Sequence, residues 1–136
     1  MKNQSKELNE RGNAAFHKKK FDDAEKCFSE AIKLNMGSKA LWTNRAKCRN
    51  AMKKHEEAIS DCESALSINP KCHKTVEEKG NAFLGLDRFD EAKTCFESLR
   101  QLGESALAET YLKKLHDIQD RVEKCPKKKR IQLTKL

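Results

Sequence analysis

Most side chains able to do chemistry in this 136-residue chain are hydrogen-bond donors and cations, and several are regularly spaced. Asn13, Lys47 and Asn81 lie 34 residues apart, and Asn44 precedes Lys47 by three, which puts both on one face of a helix. Amide and ammonium donors of this kind satisfy acceptor-rich ligands, carboxylates above all. Bond-making chemistry has no comparable support. There is no Gly-rich phosphate loop, no G-x-S-x-G and no H-E-x-x-H, and the adjacent Glu77 and Glu78 do not face each other on a helix. His17, His55, His73 and His116 lack metal-ligand spacing. The six cysteines, Cys27, Cys48, Cys62, Cys72, Cys95 and Cys125, contain no CxxC and read as small packing residues in a reducing compartment. The chain therefore reads as a non-enzyme, with no metal and no cofactor expected.

The elements that must position those donors follow from the same period. Ala24, Ala58 and Ala92 recur every 34 residues, as do Gly12, Ala46 and Gly80, then Phe28, Cys62 and Phe96, then Ala31, Ala65 and Leu99. A small residue lets two helix backbones approach and a large one fills the space beside it, so this is the period of a helix-turn-helix solenoid. Leu8, Ala15 and Phe16, then Ala24, Phe28, Ala31 and Ile32, follow helical spacing and form the first antiparallel pair. Asp22 and Asp23, Glu56 and Glu57, and Asp90 and Glu91 fall where each second helix begins, the end at which the helix dipole favours negative charge. Pro70 closes the second repeat, and Gly37 and Gly103 supply turns after the first and third.

Leu107, Tyr111, Leu115, Ile118 and Val122 continue at spacings of three and four, with Ser105 as the expected N-cap. This is a seventh helix, about 105–123, that caps the exposed apolar end of the solenoid. Beyond Glu123 lie Lys124, Lys127, Lys128, Lys129, Arg130 and Lys135 and no acid, so six of the formal +8 charges belong to the tail and the body carries only about +2. The basic balance therefore does not imply a nucleic-acid-binding fold, and no aromatic follows Tyr111 for bases to stack on. Pro126-Lys127-Lys128-Lys129-Arg130 resembles a short nuclear-import signal, would equally suit RNA or an anionic membrane, and otherwise is a solvated, disordered tail over 124–136. No apolar run approaches the roughly 20 residues that span a bilayer, and the N-terminus is too polar for a secretory signal. The expectation is a monomeric, soluble, cytoplasmic protein, with nuclear import through the tail as an option.

The repeats resemble the tetratricopeptide pattern, W-x2-L-G-x2-Y followed by A-x3-F and a closing P. Three repeats, about 5–38, 39–72 and 73–106, each keep the A-x3-F core, weakened only by Cys62. Their openings are looser: Leu8-x2-Arg11-Gly12-x2-Ala15, Trp42-x2-Arg45-Ala46-x2-Arg49 and Val76-x2-Lys79-Gly80-x2-Phe83. The resemblance implies an all-α, right-handed solenoid of three helix pairs plus the cap, occupying 1–123, with a concave groove lined by the first helix of each pair.

Among tetratricopeptide proteins the chain is similar to co-chaperones of Hsp70 and Hsp90, in which Lys and Asn, then Asn, then Lys and Arg clamp two carboxylates of an acidic C-terminus. The resemblance assigns Asn13, Asn44 and Lys74 to that clamp. Asn9 stands where the first Lys is expected, and Glu78 reverses the charge expected of the Arg, with Lys74 one turn away to neutralise it. Lys47 is the candidate replacement cation, and Lys6, Phe16, His17, Asn50, Asn81 and Leu84 complete the lining. Each has a plainer alternative: local backbone bonding for Asn13 and Asn81, a solvated face for Lys47, and a snorkelling, packed side chain for Arg49. The functional expectation is an adaptor that binds an extended, acidic-ended peptide, the Hsp70 or Hsp90 C-terminus being the implied partner. The alternative is an assembly scaffold that holds a folded partner or internal helix without a carboxylate clamp.

Overall fold

The computed structural model describes residues 2–124, and within them every regular element is a helix. The basic tail, with its import-like run and Cys125, lies outside the described residues. Three helix pairs run in order: α1 (Lys2–His17) with α2 (Phe21–Leu34), α3 (Lys39–Ala51) with α4 (His55–Ile68), and α5 (His73–Gly85) with α6 (Phe89–Gln101). A last helix, α7 (Ser105–Lys124), packs on α6. Each helix packs on the next in sequence, and α3 additionally touches both α1 and α5, so the first helices of the pairs form a continuous layer. Among the described residues no helix is long and apolar enough to cross a membrane.

The period is visible as packing. Ala24, Ala58 and Ala92 are fully buried, as are Ala46, Cys62 and Phe96, and Phe28 is nearly so. Gly12 lies against the Phe28 ring and Gly80 against the Phe96 ring, so close that a methyl group at Gly12 would meet Phe28 Cε1 at 2.6 Å. The ring occupies the volume that a side chain on the facing helix would need. Free cysteines Cys48, Cys62 and Cys95 are buried in the core, as expected of packing residues, and Cys48 donates its S–H to the Phe21 carbonyl at 3.1 Å. Burial pushes the Cys48 thiol up to about 11 and raises Cys62 and Cys95 as well, which keeps all three in the thiol form.

The turns differ in part from expectation. Inside each repeat the chain reverses through a non-glycine residue in the left-handed region, Lys19 (φ 62°), Lys53 (φ 63°) and Asp87 (φ 58°), again one period apart. The next amide donates back to the helix end, Lys20 to Ala15, Lys54 to Arg49 and Arg88 to Phe83, at 2.7–2.9 Å. That is the Schellman closure, tolerated here without glycine because it satisfies the helix's terminal carbonyls. Gly103 (φ 90°) makes the same closure after α6, whereas Gly37 is not in the left-handed region. Ser105 is the first helical residue of α7 and not its cap, because the Ala108 amide donates to the Glu104 carbonyl at 2.9 Å. Lys20, Lys54 and Arg88 precede the second helices without a side-chain capping bond, so the acidic pairs in the first turns carry the dipole's charge requirement.

Gly12→Ala sets a helix-propensity gain of about 1 kcal/mol against an overpacking cost of about 1–3 kcal/mol. Net destabilisation is expected at both Gly12 and Gly80, read as a lower midpoint in urea unfolding, and Phe28→Leu should partly rescue Gly12→Ala. A more stable Gly12→Ala would contradict the close-approach account.

Candidate functional site

The layer of first helices brings the expected residues into one strip. On α1 stand Asn9, Asn13 and Phe16; on α3, Asn44, Lys47 and Asn50; on α5, Lys74, Glu78 and Asn81. Asn44 Nδ2 donates to Asn9 Oδ1 at 2.8 Å, bridging α3 to α1. The Lys47 ammonium lies 5.1 Å from the Phe16 ring centroid, a cation–π contact across the same seam. Between α3 and α5, Asn50 Nδ2 donates to the Glu78 carbonyl at 3.0 Å and reaches its carboxylate Oε2 at 3.4 Å. Thr43 and Thr75 hydroxyls meet at 2.7 Å farther along that seam.

Asn13 and Lys74 are different: among the described residues no side-chain hydrogen bond or ion pair engages either, so their donors remain open. Lys74 is exposed, and no ion pair joins it to Glu78, contrary to the mutual neutralisation expected from their spacing. Glu78 instead meets Asn50 of α3. Glu78 is half-buried in the wall between α3 and α5, where burial raises its carboxyl above the usual range, against the opposing pull of Asn50, Asn81 and Lys47. Asn81, on the same helix, favours the ionised form of Glu78. Of the remaining expected lining, Lys6 and His17 are exposed, and Leu84 packs against the core.

Two features were not anticipated. The capping helix contributes Tyr111, which stacks on Phe96 with ring centroids 4.6 Å apart and donates its hydroxyl to Glu77 on α5. Burial and that carboxylate push the Tyr111 hydroxyl up to about 12. The second is an ion network behind α3. Asp61, almost fully buried on α4, accepts from Arg45 at 2.8 and 3.1 Å and from Arg49 at 3.0 and 3.1 Å, and Arg49 also donates to Glu25 at 2.9 Å. Arg49 is thus a partly buried ion-pair partner and not a snorkelling side chain. The signal was in the register: position 49 matches Ala15 and Phe83, and position 61 matches Cys27 and Cys95, so the middle repeat replaces two apolar residues by a charged pair. Burial alone would raise Glu25, but Arg49 and Lys54 hold it below its ordinary value.

The tetratricopeptide repeat family matches residues 5–35 and 40–72. The second TPR domain of the human RPAP3 protein, solved in complex with HSP70 peptide SGPTIEEVD, is 30% identical with a TM-score of 0.78, over 83% of this chain and 95% of that one. The chain belongs to the tetratricopeptide repeat family. Its third repeat, beyond the residues matched by the family, is present as α5 and α6. The first TPR of Spaghetti (RPAP3), solved bound to HSP90 peptide SRMEEVD, is 28% identical with a TM-score of 0.81, over 88% of this chain and 96% of that one. Protein STIP1 homolog of Dictyostelium discoideum is 36% identical over 92 residues, 68% of this chain and 16% of that protein. The chain thus spans between about a seventh and a quarter of the length of the curated relatives it matches.

A carboxyl raised in the folded state opposes folding once pH climbs above its unfolded value and through its folded one. Glu78→Gln should therefore stabilise the protein at pH 8, with the advantage shrinking as pH falls toward 4.5, read from urea midpoints across that range. A stability gap independent of pH would contradict the burial of the Glu78 carboxyl.

Proposed function

We propose that this chain is a protein-binding adaptor whose concave groove takes an extended peptide ending in acidic residues, the C-terminal tails of Hsp70 and Hsp90 being the candidates of choice. The observation that carries the reading is the open donor set. Asn13 and Lys74 have no side-chain partner, Asn44 has a second amide hydrogen beyond the one given to Asn9, and Lys47 is exposed beside them. A terminal carboxylate next to an acidic side chain offers four acceptor oxygens that such donors satisfy together. The likeness to TPR domains solved with peptides ending in EEVD supports the same ligand class.

Lys47 is assigned the role of the cation missing at Asn9. It sits on the middle helix three residues after Asn44, with its ammonium over the Phe16 ring of α1, the helix that carries Asn13. Glu78 is the observation that favours a second reading, an assembly scaffold for a folded partner or internal helix, because it places negative charge on the wall of the groove.

Calorimetric titration with SRMEEVD and SGPTIEEVD separates the two. The adaptor reading expects saturable binding that weakens from 50 to 300 mM salt, and a loss of about tenfold for Asn44→Ala and for Lys74→Ala, the scale of a hydrogen bond to a charged group. Failure of both peptides to bind, with capture of a large partner that survives both substitutions, would establish the scaffold instead.

A further inference from the structure

A carboxylate on the wall of a groove that takes acidic tails repels its own ligand unless something holds it aside. This wall has two, Glu77 and Glu78 on α5, and each is met by a donor from another helix. Tyr111 of α7 gives its hydroxyl to Glu77. Asn50 of α3 gives Nδ2 to the Glu78 backbone carbonyl at 3.0 Å and to its carboxylate Oε2 at 3.4 Å. Nδ2 carries two hydrogens, one for each of those oxygens. Among the described residues no ion pair engages either carboxylate.

The Asn50 amide is itself fixed in orientation. The Glu78 carbonyl can only accept, which forces Nδ2 toward α5 and leaves Oδ1 as an acceptor for α4. There it lies 2.9 Å from His55 Nδ1, so that nitrogen carries the hydrogen of the bond. His55 opens α4, and its ring lies against Gly85 at the end of α5, so close that no methyl group fits at position 85. The chain of contacts from Gly85 through His55 and Asn50 to Glu78 therefore leaves α5 and returns to it. We propose that Asn50, oriented by His55, is a positioning residue for acidic-tail binding: it holds the Glu78 carboxylate in the seam between α3 and α5, clear of the carboxylates of the ligand. This rests on the peptide-adaptor reading and names the device by which a groove with a negative wall takes a negative ligand. Without Asn50 the carboxylate loses its partner in the seam and recovers hydrogen bonds by turning to the water of the groove, where it meets the ligand.

The experiment is a double-mutant cycle read by calorimetric titration with SRMEEVD, for wild type, Asn50→Ala, Glu78→Gln and the double variant, at 50 and 300 mM salt. Asn50→Ala is expected to weaken binding about fivefold at the lower salt, the scale of two like charges about 4 Å apart in a water-like dielectric, and by less at the higher salt. In the Glu78→Gln background the same substitution should change affinity by less than about twofold. His55→Phe keeps a ring against Gly85 but has no hydrogen for Asn50. It should give the same pattern at smaller amplitude, and it carries the test where Asn50→Ala does not fold. Unchanged affinity in Asn50→Ala and His55→Phe overturns the proposal. So does a loss that persists undiminished in the Glu78→Gln background, because an amide with a merely structural role is indifferent to the charge at position 78. Binding by Glu78→Gln with none by wild type also overturns it, since the carboxylate is then not held aside. Absence of binding by both wild type and Glu78→Gln overturns the adaptor reading and the proposal with it.

Discussion

The fold depends on one repeated contact, a small residue on the first helix of each pair facing a ring or thiol on the second. Gly12 against Phe28 and Gly80 against Phe96 bring the helix backbones together at the two ends, and Ala46 and Cys62 are the fully buried residues at the same register in the middle. Core packing at this density leaves no slack, so the position of each first helix is set by its partner. The groove is what remains on the other side of those first helices. Its donors are therefore fixed by contacts that no ligand touches.

The middle repeat is held differently from its neighbours. Arg49 on α3 and Asp61 on α4 replace apolar pairing with an ion pair around a buried carboxylate, which Arg45 joins and which Glu25 and Ser29 tie to α2. Such a network gives little net stability over apolar packing, yet removing one partner strands charge in the interior. Its consequence is geometric, because it anchors the back of the helix that presents Asn44 and Lys47 at the front. The capping helix joins the same system through Tyr111, which stacks on Phe96 and bonds Glu77, so α7 supports the groove wall besides closing the core.

Much of this was legible in the sequence, for a definite physical reason. Identical spacing of Gly12, Ala46 and Gly80 with Ala24, Ala58 and Ala92 reports packing between helices, and it placed all seven helices, including the acidic starts of α2, α4 and α6. The same ruler put Asn9, Phe16, Asn44, Lys47, Asn50 and Glu78 on the first helices, where the structure pairs Asn9 with Asn44, Phe16 with Lys47 and Asn50 with Glu78. It did not show who pairs with whom. Lys74 and Glu78 share a face by spacing, yet Glu78 is half-buried in the wall and meets Asn50, a choice made by burial across helices and not by helical period. Likewise Lys19, Lys53 and Asp87 carry the left-handed turns that composition assigns to glycine, because the Schellman hydrogen bonds decide the geometry there.

The central claim is that an acidic tail lies across the first helices, and mapping its footprint tests that most directly. Amide and side-chain NMR shifts recorded while SRMEEVD is added should move at Asn13, Asn44, Lys47 and Lys74, with the second helices largely unchanged. Shifts confined to α2, α4 and α6, or no shifts at peptide excess, would contradict it.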